Sequence, residues 1–372
     1  MFMNTDLFDY DLPERLIAQT PAARREDSRL LVVERRTGKL SHCIFRDLPD
    51  LLPTGTRLFR NNAAVLQARL PGIREGSGGK VECLLLRPGE IPTRWWCLLK
   101  PGKKAASGTF GIDGVYRARV IDKEECTEGG GEYLVEFEIL LPQGNVLDIA
   151  AQIGSLPLPP YITRSRPKDQ DFSALDKERY QTVYAFRDNP VAAAAPTAGL
   201  HFSDALLEQL RERGIPQYDL TLHIGLGTFQ PIKSTTIEGH PMHKEFYTIP
   251  AATREQLEIV KPESSPRLAV GTTSLRAMED FARRRAAGDP LIPATGSVAA
   301  TAGLFVYPPQ TISGADIMIT NFHLPKSTLM CLISTFLAPG DLRGIQWLKE
   351  IYTEAVSRDY RFYSYGDAML IL

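Results

Sequence analysis

Between Pro196 and Phe229 the apolar period of the chain switches from that of a helix to that of a strand. Ser203 is placed to cap a helix whose Leu206, Leu207 and Leu210 share one face, because its hydroxyl can accept from a first-turn amide that has no partner within the helix. Gly214 stands where a left-handed C-cap residue belongs, and Pro216 cannot continue the helix. From Tyr218 the period is two: Tyr218, Leu220, Leu222 and Ile224 face one way, Asp219, Thr221 and His223 the other. A helix that returns as an antiparallel strand brings the loop before it and the loop after it to one edge, where open α/β sheets place their ligands. That edge carries His201 and His223 among Thr197, Gly199, Phe202, Gly225, Gly227, Thr228 and Phe229.

Two later units repeat the pattern of strand, polar loop and helix. RLAVG leads into Thr272, Thr273 and a helix that buries Leu275, Met278 and Phe281. ADIMI leads into Thr320-Asn321-Phe322-His323, then a helix apolar all round, from Leu329 to Leu337, which is the mark of a buried one. The chain closes with a helix near Trp347 to Val356, the loop YRFYSYGD and a buried strand, AMLIL. Near the start, LLVVE and LSHCIF flank a Thr37-Gly38 turn and read as a hairpin. A helix is expected over Leu175 to Phe186.

Between about Gln67 and Ile153 the texture changes to short alternating runs such as VECLLL, WWCLL, VYRARV, EYLVEFEIL and NVLDIA, divided by glycine turns and with no helical pattern. Such spacing indicates a small antiparallel barrel. The expected class is therefore α/β, a mixed sheet with helices, formed by residues 1–66 and 154–372, with a small β-barrel inserted at 67–153. Within the insertion, Leu66 to Lys104 carries a net charge of +5 and Ala105 to Ala150 one of −6. The first of these can offer a positive side to a polyanion.

Five dispersed cysteines with no CxxC pair point to free thiols in a reducing compartment. The acidic start, MFMNTDLFDYDL, lacks the flank of a signal peptide, and no apolar run is long enough for a membrane span. A cytoplasmic protein is expected.

Missing motifs narrow the chemistry. No GxGxxG follows a strand, and GxxxxGK[ST] and GxSxG are absent, against dinucleotide, NTPase and α/β-hydrolase readings. His240 and His243 have a metal-like spacing, but Pro241 and the strand that follows make a helical metal face unsuitable, so no metal is expected. Four polar loops at sheet edges, PTAGLHF with HIGLGTF, GTTSLR, TNFHLP and YRFYSYGD, suit metal-free acid–base chemistry on a nucleoside-like substrate.

At this point longer motifs carry a resemblance. DYDLPERLIAQTP, DSRLL, PTAGLHF, TLHIGLGTF, MHKEFY, VGTTSLRAME, TNFHLPKSTL and YRFYSYGDAMLIL, in that order from Tyr10 to Leu372, resemble the S-adenosylmethionine:tRNA ribosyltransferase-isomerase family of queuosine synthesis. The resemblance implies transfer and isomerisation of the ribosyl group of S-adenosylmethionine onto 7-aminomethyl-7-deazaguanine at the tRNA wobble position. Epoxyqueuosine-tRNA would form, and adenine and methionine would leave. It also implies an α/β domain with a smaller barrel, a monomer, S-adenosylmethionine as co-substrate, and no further cofactor.

Against that task, the general base stays open among His201, His223, His243 and His323, since imidazole titrates near neutrality. Glu245 or Asp367 could balance the sulfonium. Thr272, Thr273 and their helix start, or Arg276 or Arg361, could hold the methionine carboxylate, with Thr320 and Asn321 in the neighbouring loop. Phe202, Phe229, Phe322 and Tyr365 offer stacking faces, and Lys100, Lys103 and Lys104, or Arg283 to Arg285, could contact tRNA phosphates. Departures from the family pattern fall at Asn61-Asn62-Ala63-Ala64, at NPVAAAA before PTAGLHF, and at Pro309. The rival classes are a methyltransferase that uses S-adenosylmethionine and a non-catalytic RNA-binding protein.

Overall fold

The computed structural model describes residues 2–125, 131–142, 144–164, 172–188, 190, 192–225, 231–259 and 265–372. Strands β1 (Arg29–Val33) and β2 (Leu40–Ile44) form the first hairpin, turning through Gly38 at φ 76°, a conformation that favours glycine. After β3 (Arg57–Asn61) come six shorter-range strands: β4 (Arg69–Arg74), β5 (Lys80–Pro88), β6 (Arg94–Lys100), β7 (Thr109–Ile112), β8 (Tyr116–Glu125) and β9 (Gly131–Ile139). The remaining strands are β10 (Gln217–Leu222), β11 (Glu245–Ile249), β12 (Arg267–Val270), β13 (Val298–Ala302), β14 (Ile317–Asn321) and β15 (Ala368–Ile371).

The described chain divides into two compact units, 1–64 with 160–189 and 195–372, and 65–159 with 190–194. In the second unit β4 to β9 close an antiparallel barrel in the order β4-β5-β6-β9-β8-β7. Alternation fills it: Tyr133, Val135 and Phe137 of β9 point inward with Cys83, Cys97 and Phe110. The NVLDIA run belongs to a helix, Val146–Ile153, and not to a strand. Asn145 and Asp148 form a reciprocal capping box there, and Val146, Ile149 and Ala150 are buried at helical spacing.

In the first unit the described strands form a nine-stranded mixed sheet in the order β13-β11-β10-β3-β12-β14-β15-β1-β2. Strands β10, β3, β12 and β14 run parallel. Strand β15 runs antiparallel to β14, and β1 runs parallel to β15. Strands β12, β14 and β15 are buried along almost their whole length and read as near-continuous apolar runs. On one face Leu30, Leu58, Leu268, Ile319 and Leu370 pack with Leu206, Leu207 and Leu210 of the helix Asp204–Glu212. Each such side chain contributes about 1.5–3 kcal/mol on full burial. That helix is capped by Ser203, whose Oγ accepts from the Leu206 amide, and Gly214 follows it at φ 75°. The helix expected over 175–186 is shorter, Ser173–Arg179. Beyond it the backbone turns, and the Phe186 amide donates to the Asn62 carbonyl at 2.8 Å.

Strand direction decides what meets at the edge. The parallel strands end there at Asn61, Leu222, Val270 and Asn321, while β15, β1 and β11 begin there, after Asp367, Ser28 and Lys244. No helix among the described residues is long and apolar enough to cross a membrane.

Candidate active site

The helix Gly271–Ala286 starts directly at the end of β12, and Gly271 takes φ 87° to make the turn. No side chain caps its first turn, so unpaired amides remain at the positive end of a helix dipole. Two cavities, each of about 530 Å³, meet at this turn and share Thr272, Thr273 and Leu329. Thr273 Oγ1 is buried without a hydrogen-bond partner among the described residues.

One cavity is lined by Thr197, Thr320, Asn321, His323, Tyr161 and Tyr363. His323 is held at its main chain: its amide donates to the Tyr352 hydroxyl at 3.0 Å, and its carbonyl accepts from the Tyr10 hydroxyl. Its Nε2 lies 2.8 Å from Thr320 Oγ1, and Nδ1 has no partner among the described residues. Burial lowers its pKa to about 3 and keeps the ring neutral. His201 is equally buried, stacked on Phe45 at 5.0 Å, with Nδ1 2.7 Å from Ser28 Oγ and Nε2 3.1 Å from Asn321 Nδ2. Burial, helped by Arg25 and Arg361, lowers it to about 3. It does not line either of the two joined cavities; Asn321 stands between.

The other cavity is lined by His240, His243, Glu245, Arg276 and Phe305. Glu245 and Arg276 are buried together at 2.6 Å. Glu245 also accepts from the Gly225 amide, and Arg276 donates to the carbonyls of His243 and Ala302. Arg276 thus has three of its five N–H donors engaged, which leaves the buried Nε and one hydrogen on Nη1. Among the described residues no three His, Cys, Asp or Glu side chains gather into a metal-sized cluster.

Several expected residues lie elsewhere. Asp367 is buried with its two carboxylate oxygens on the amides of Arg29 and Arg361, so it fixes the edge of the sheet and lines neither joined cavity. Burial raises its pKa, partly offset by those amides. Arg361 donates to the Thr20 carbonyl, away from the cavities. Phe202 and Phe322 are fully buried, Phe202 against Phe45 and Phe322 against Tyr352, Tyr360 and Phe362, and leave no face for a base. Tyr365 is buried on Asp176 at 2.9 Å. Gly199 sits under Tyr184 and Thr182, where a Cβ would collide. His223 packs edge-on against Phe246, outside both cavities, and burial lowers its pKa. Lys100, Lys103 and Lys104 are exposed on the barrel. Gly227, Thr228 and Phe229 lie outside the described residues.

Sequence reasoning missed Tyr161 and Tyr363, whose rings are 4.5 Å apart at the cavity, and Ser28. Tyr161 sits at the end of a proline-rich segment with no periodic signal. Tyr363 adopts φ 70°, and such local strain has no signature in residue type.

The chain matches the family model described as queuosine biosynthesis protein over residues 5–371. It is 45% identical over 374 aligned residues to the S-adenosylmethionine:tRNA ribosyltransferase-isomerase of Gloeobacter violaceus, covering 99% of this chain and 96% of that one. With the enzyme of the same name from Desulfitobacterium hafniense it shares 40% identity over the full length of both. A crystal structure of the S-adenosylmethionine tRNA ribosyltransferase of Thermotoga maritima superposes with a TM-score of 0.53 at 30% identity, covering 98% of this chain and all of that one. The mixed sheet, the barrel and the full-length match together make the chain a member of the queuosine biosynthesis family, the S-adenosylmethionine:tRNA ribosyltransferase-isomerases.

Proposed function

We propose that the chain transfers and isomerises the ribosyl group of S-adenosylmethionine onto the aminomethyl group of 7-aminomethyl-7-deazaguanine at the wobble position of a tRNA. Epoxyqueuosine-tRNA forms, and adenine and methionine leave. The reading is carried by two cavities that join at the uncapped helix start of Thr272 and Thr273, room for a sulfonium nucleoside beside an extruded base. The methionine carboxylate binds at that helix start, where free amides and Thr273 Oγ1 await an acceptor or donor.

His323 is the base of this scheme, a weak one because burial disfavours its protonated ring, so the transfer relies on a donor that the sulfonium acidifies. The Thr320 hydroxyl has the Asn321 carbonyl to donate to at 3.3 Å, so it accepts the Nε2 proton of His323 and leaves Nδ1 as a lone pair. That lone pair takes a proton from the ribose carbon that the sulfonium acidifies, or from the attacking amine. The burial that keeps His323 neutral also penalises an ammonium beside a sulfonium, so the amine reacts in its neutral form. The Glu245–Arg276 pair holds the neighbouring wall.

The partners of this reading are tRNA and S-adenosylmethionine, with exposed Lys100, Lys103 and Lys104 as phosphate contacts, no further cofactor, and a cytoplasmic monomer. Its test is incubation with S-adenosylmethionine and tRNA bearing the aminomethyl base. Stoichiometric adenine and methionine are expected. S-adenosylhomocysteine would instead identify a methyltransferase, and tRNA binding without turnover a binding protein.

A further inference from the structure

Asn321 ends β14, buried, with Nδ2 3.1 Å from His201 Nε2, 3.3 Å from the Tyr363 carbonyl and 3.4 Å from the Asp367 carbonyl. Carbonyl oxygens only accept, so these two fix which end of the amide carries hydrogen. The opposite orientation would press Oδ1 against both. His201 Nε2 must therefore present a lone pair, and the ring proton is on Nδ1. From there it is donated to Ser28 Oγ, whose own proton goes to the Arg25 carbonyl at 3.3 Å. Phe45 stacks on the ring and holds its plane. Every donor in this chain of contacts has an acceptor. One group does not: Asn321 Oδ1 is buried without a hydrogen-bond partner among the described residues, on a side chain that lines the cavity of His323 and Thr320.

Buried acceptors are seldom left unmade unless something binds them. We infer that Asn321 Oδ1 accepts an N–H of a bound nucleobase, and that His201, which shares the two Nδ2 hydrogens with the Tyr363 and Asp367 carbonyls, is a positioning residue that helps hold the amide in this orientation. The inference rests on the proposed reaction, whose substrates offer heterocyclic N–H donors on the adenine 6-amino group and on the Watson–Crick edge of the deazaguanine. It gives His201 no proton to move, because both ring nitrogens are committed and Asn321 stands between the ring and the cavity.

Comparison of His201→Gln with His201→Ala separates positioning from acid–base work. A glutamine Oε1 can replace Nε2 as the acceptor for Asn321 but cannot shuttle a proton at neutral pH. His201→Ala should lower kcat/KM about tenfold, the effect of one buried hydrogen bond. His201→Gln should recover most of that loss, with an unchanged pH profile. Equal inactivity of the two variants, or full activity of His201→Ala, would overturn the inference.

Asn321→Ala locates the donor. Weaker binding of S-adenosylmethionine alone, by calorimetry, assigns it to adenine. Unchanged binding with a raised KM for tRNA assigns it to the deazaguanine. No change in either sinks the inference. Independently of turnover, 15N spectra of histidine-labelled wild-type protein should show a neutral ring protonated on Nδ1 for His201, and an Nε2-protonated ring would overturn it. Wild-type protein that releases neither adenine nor methionine would remove the reaction while leaving this tautomer measurement interpretable.

Discussion

Glu245 Oε2 lies 2.6 Å from Arg276 Nη1, with both side chains in the interior and each also tied to main chain. Removing one partner leaves the other an uncompensated buried charge. Glu245→Gln or Arg276→Met should each cost about 3–5 kcal/mol, whereas the two together should cost less than the sum. Urea denaturation followed by circular dichroism measures all three.

The buried histidines set a pH dependence of stability. Unfolded histidine titrates near ~6.5, whereas His201 and His323 are lowered to about 3 in the fold. Between these values the unfolded chain binds more protons, so stability is complete above ~6.5 and falls as pH drops toward ~3. Each ring adds about 1.4 kcal/mol per pH unit to that slope. Asp367, raised by burial, opposes them: its contribution is lost as pH rises through its folded pKa. Replacing either histidine by Gln should flatten the decline of Tm between pH 6 and 4. An unchanged slope would show the rings to be solvated.

Gly271 turns the chain from β12 into its helix at φ 87°. A Cβ there would meet Ala198 only at 3.4 Å, so the cost of Gly271→Ala is conformational and not steric. A loss of about 1–2 kcal/mol is expected, together with weaker S-adenosylmethionine binding as the helix start shifts. Calorimetry on the folded variant checks the second part.

Thr273→Val removes a hydroxyl that has no hydrogen-bond partner among the described residues. Stability should hold or rise by about 1 kcal/mol, while affinity for S-adenosylmethionine falls about tenfold. A drop in both would mean that the hydroxyl is already satisfied within the fold.

Lys103 and Lys104 stand exposed on the barrel. If each meets a phosphate, the double Ala variant should lower the slope of log K against log salt for tRNA binding by about two, with S-adenosylmethionine binding untouched. An unaltered slope removes them from the tRNA surface.

Much of the sheet was legible because its strands are apolar runs bounded by punctuation. Gly214 and Pro216 end a helix, and the period of two that starts at Tyr218 matches β10. The inserted helix at Val146 was missed although Asn145 and Asp148 spell its cap, because so short a segment with four apolar residues does not by its period distinguish strand from helix. At the site, His323, Thr272, Thr273 and Asn321 were legible as polar residues at strand ends. The partner of His201 was not, since Ser28 is separated from it by 173 positions. Neither was the fate of Phe202 and Phe322, because residue type does not distinguish a core aromatic from a stacking platform. Asp367 was misplaced for a similar reason: its partners are main-chain amides, which no side-chain pattern records.

Strand β15 is hydrogen-bonded to β14 on one flank and to β1 on the other. It is thus the wedge between two strands that lie far apart in sequence, Arg29–Val33 and Ile317–Asn321. Without it both neighbours would present bare edges that invite mispairing, and Asn321 would lack the Asp367 carbonyl. The pairing that completes the sheet therefore also supplies one of the acceptors around Asn321.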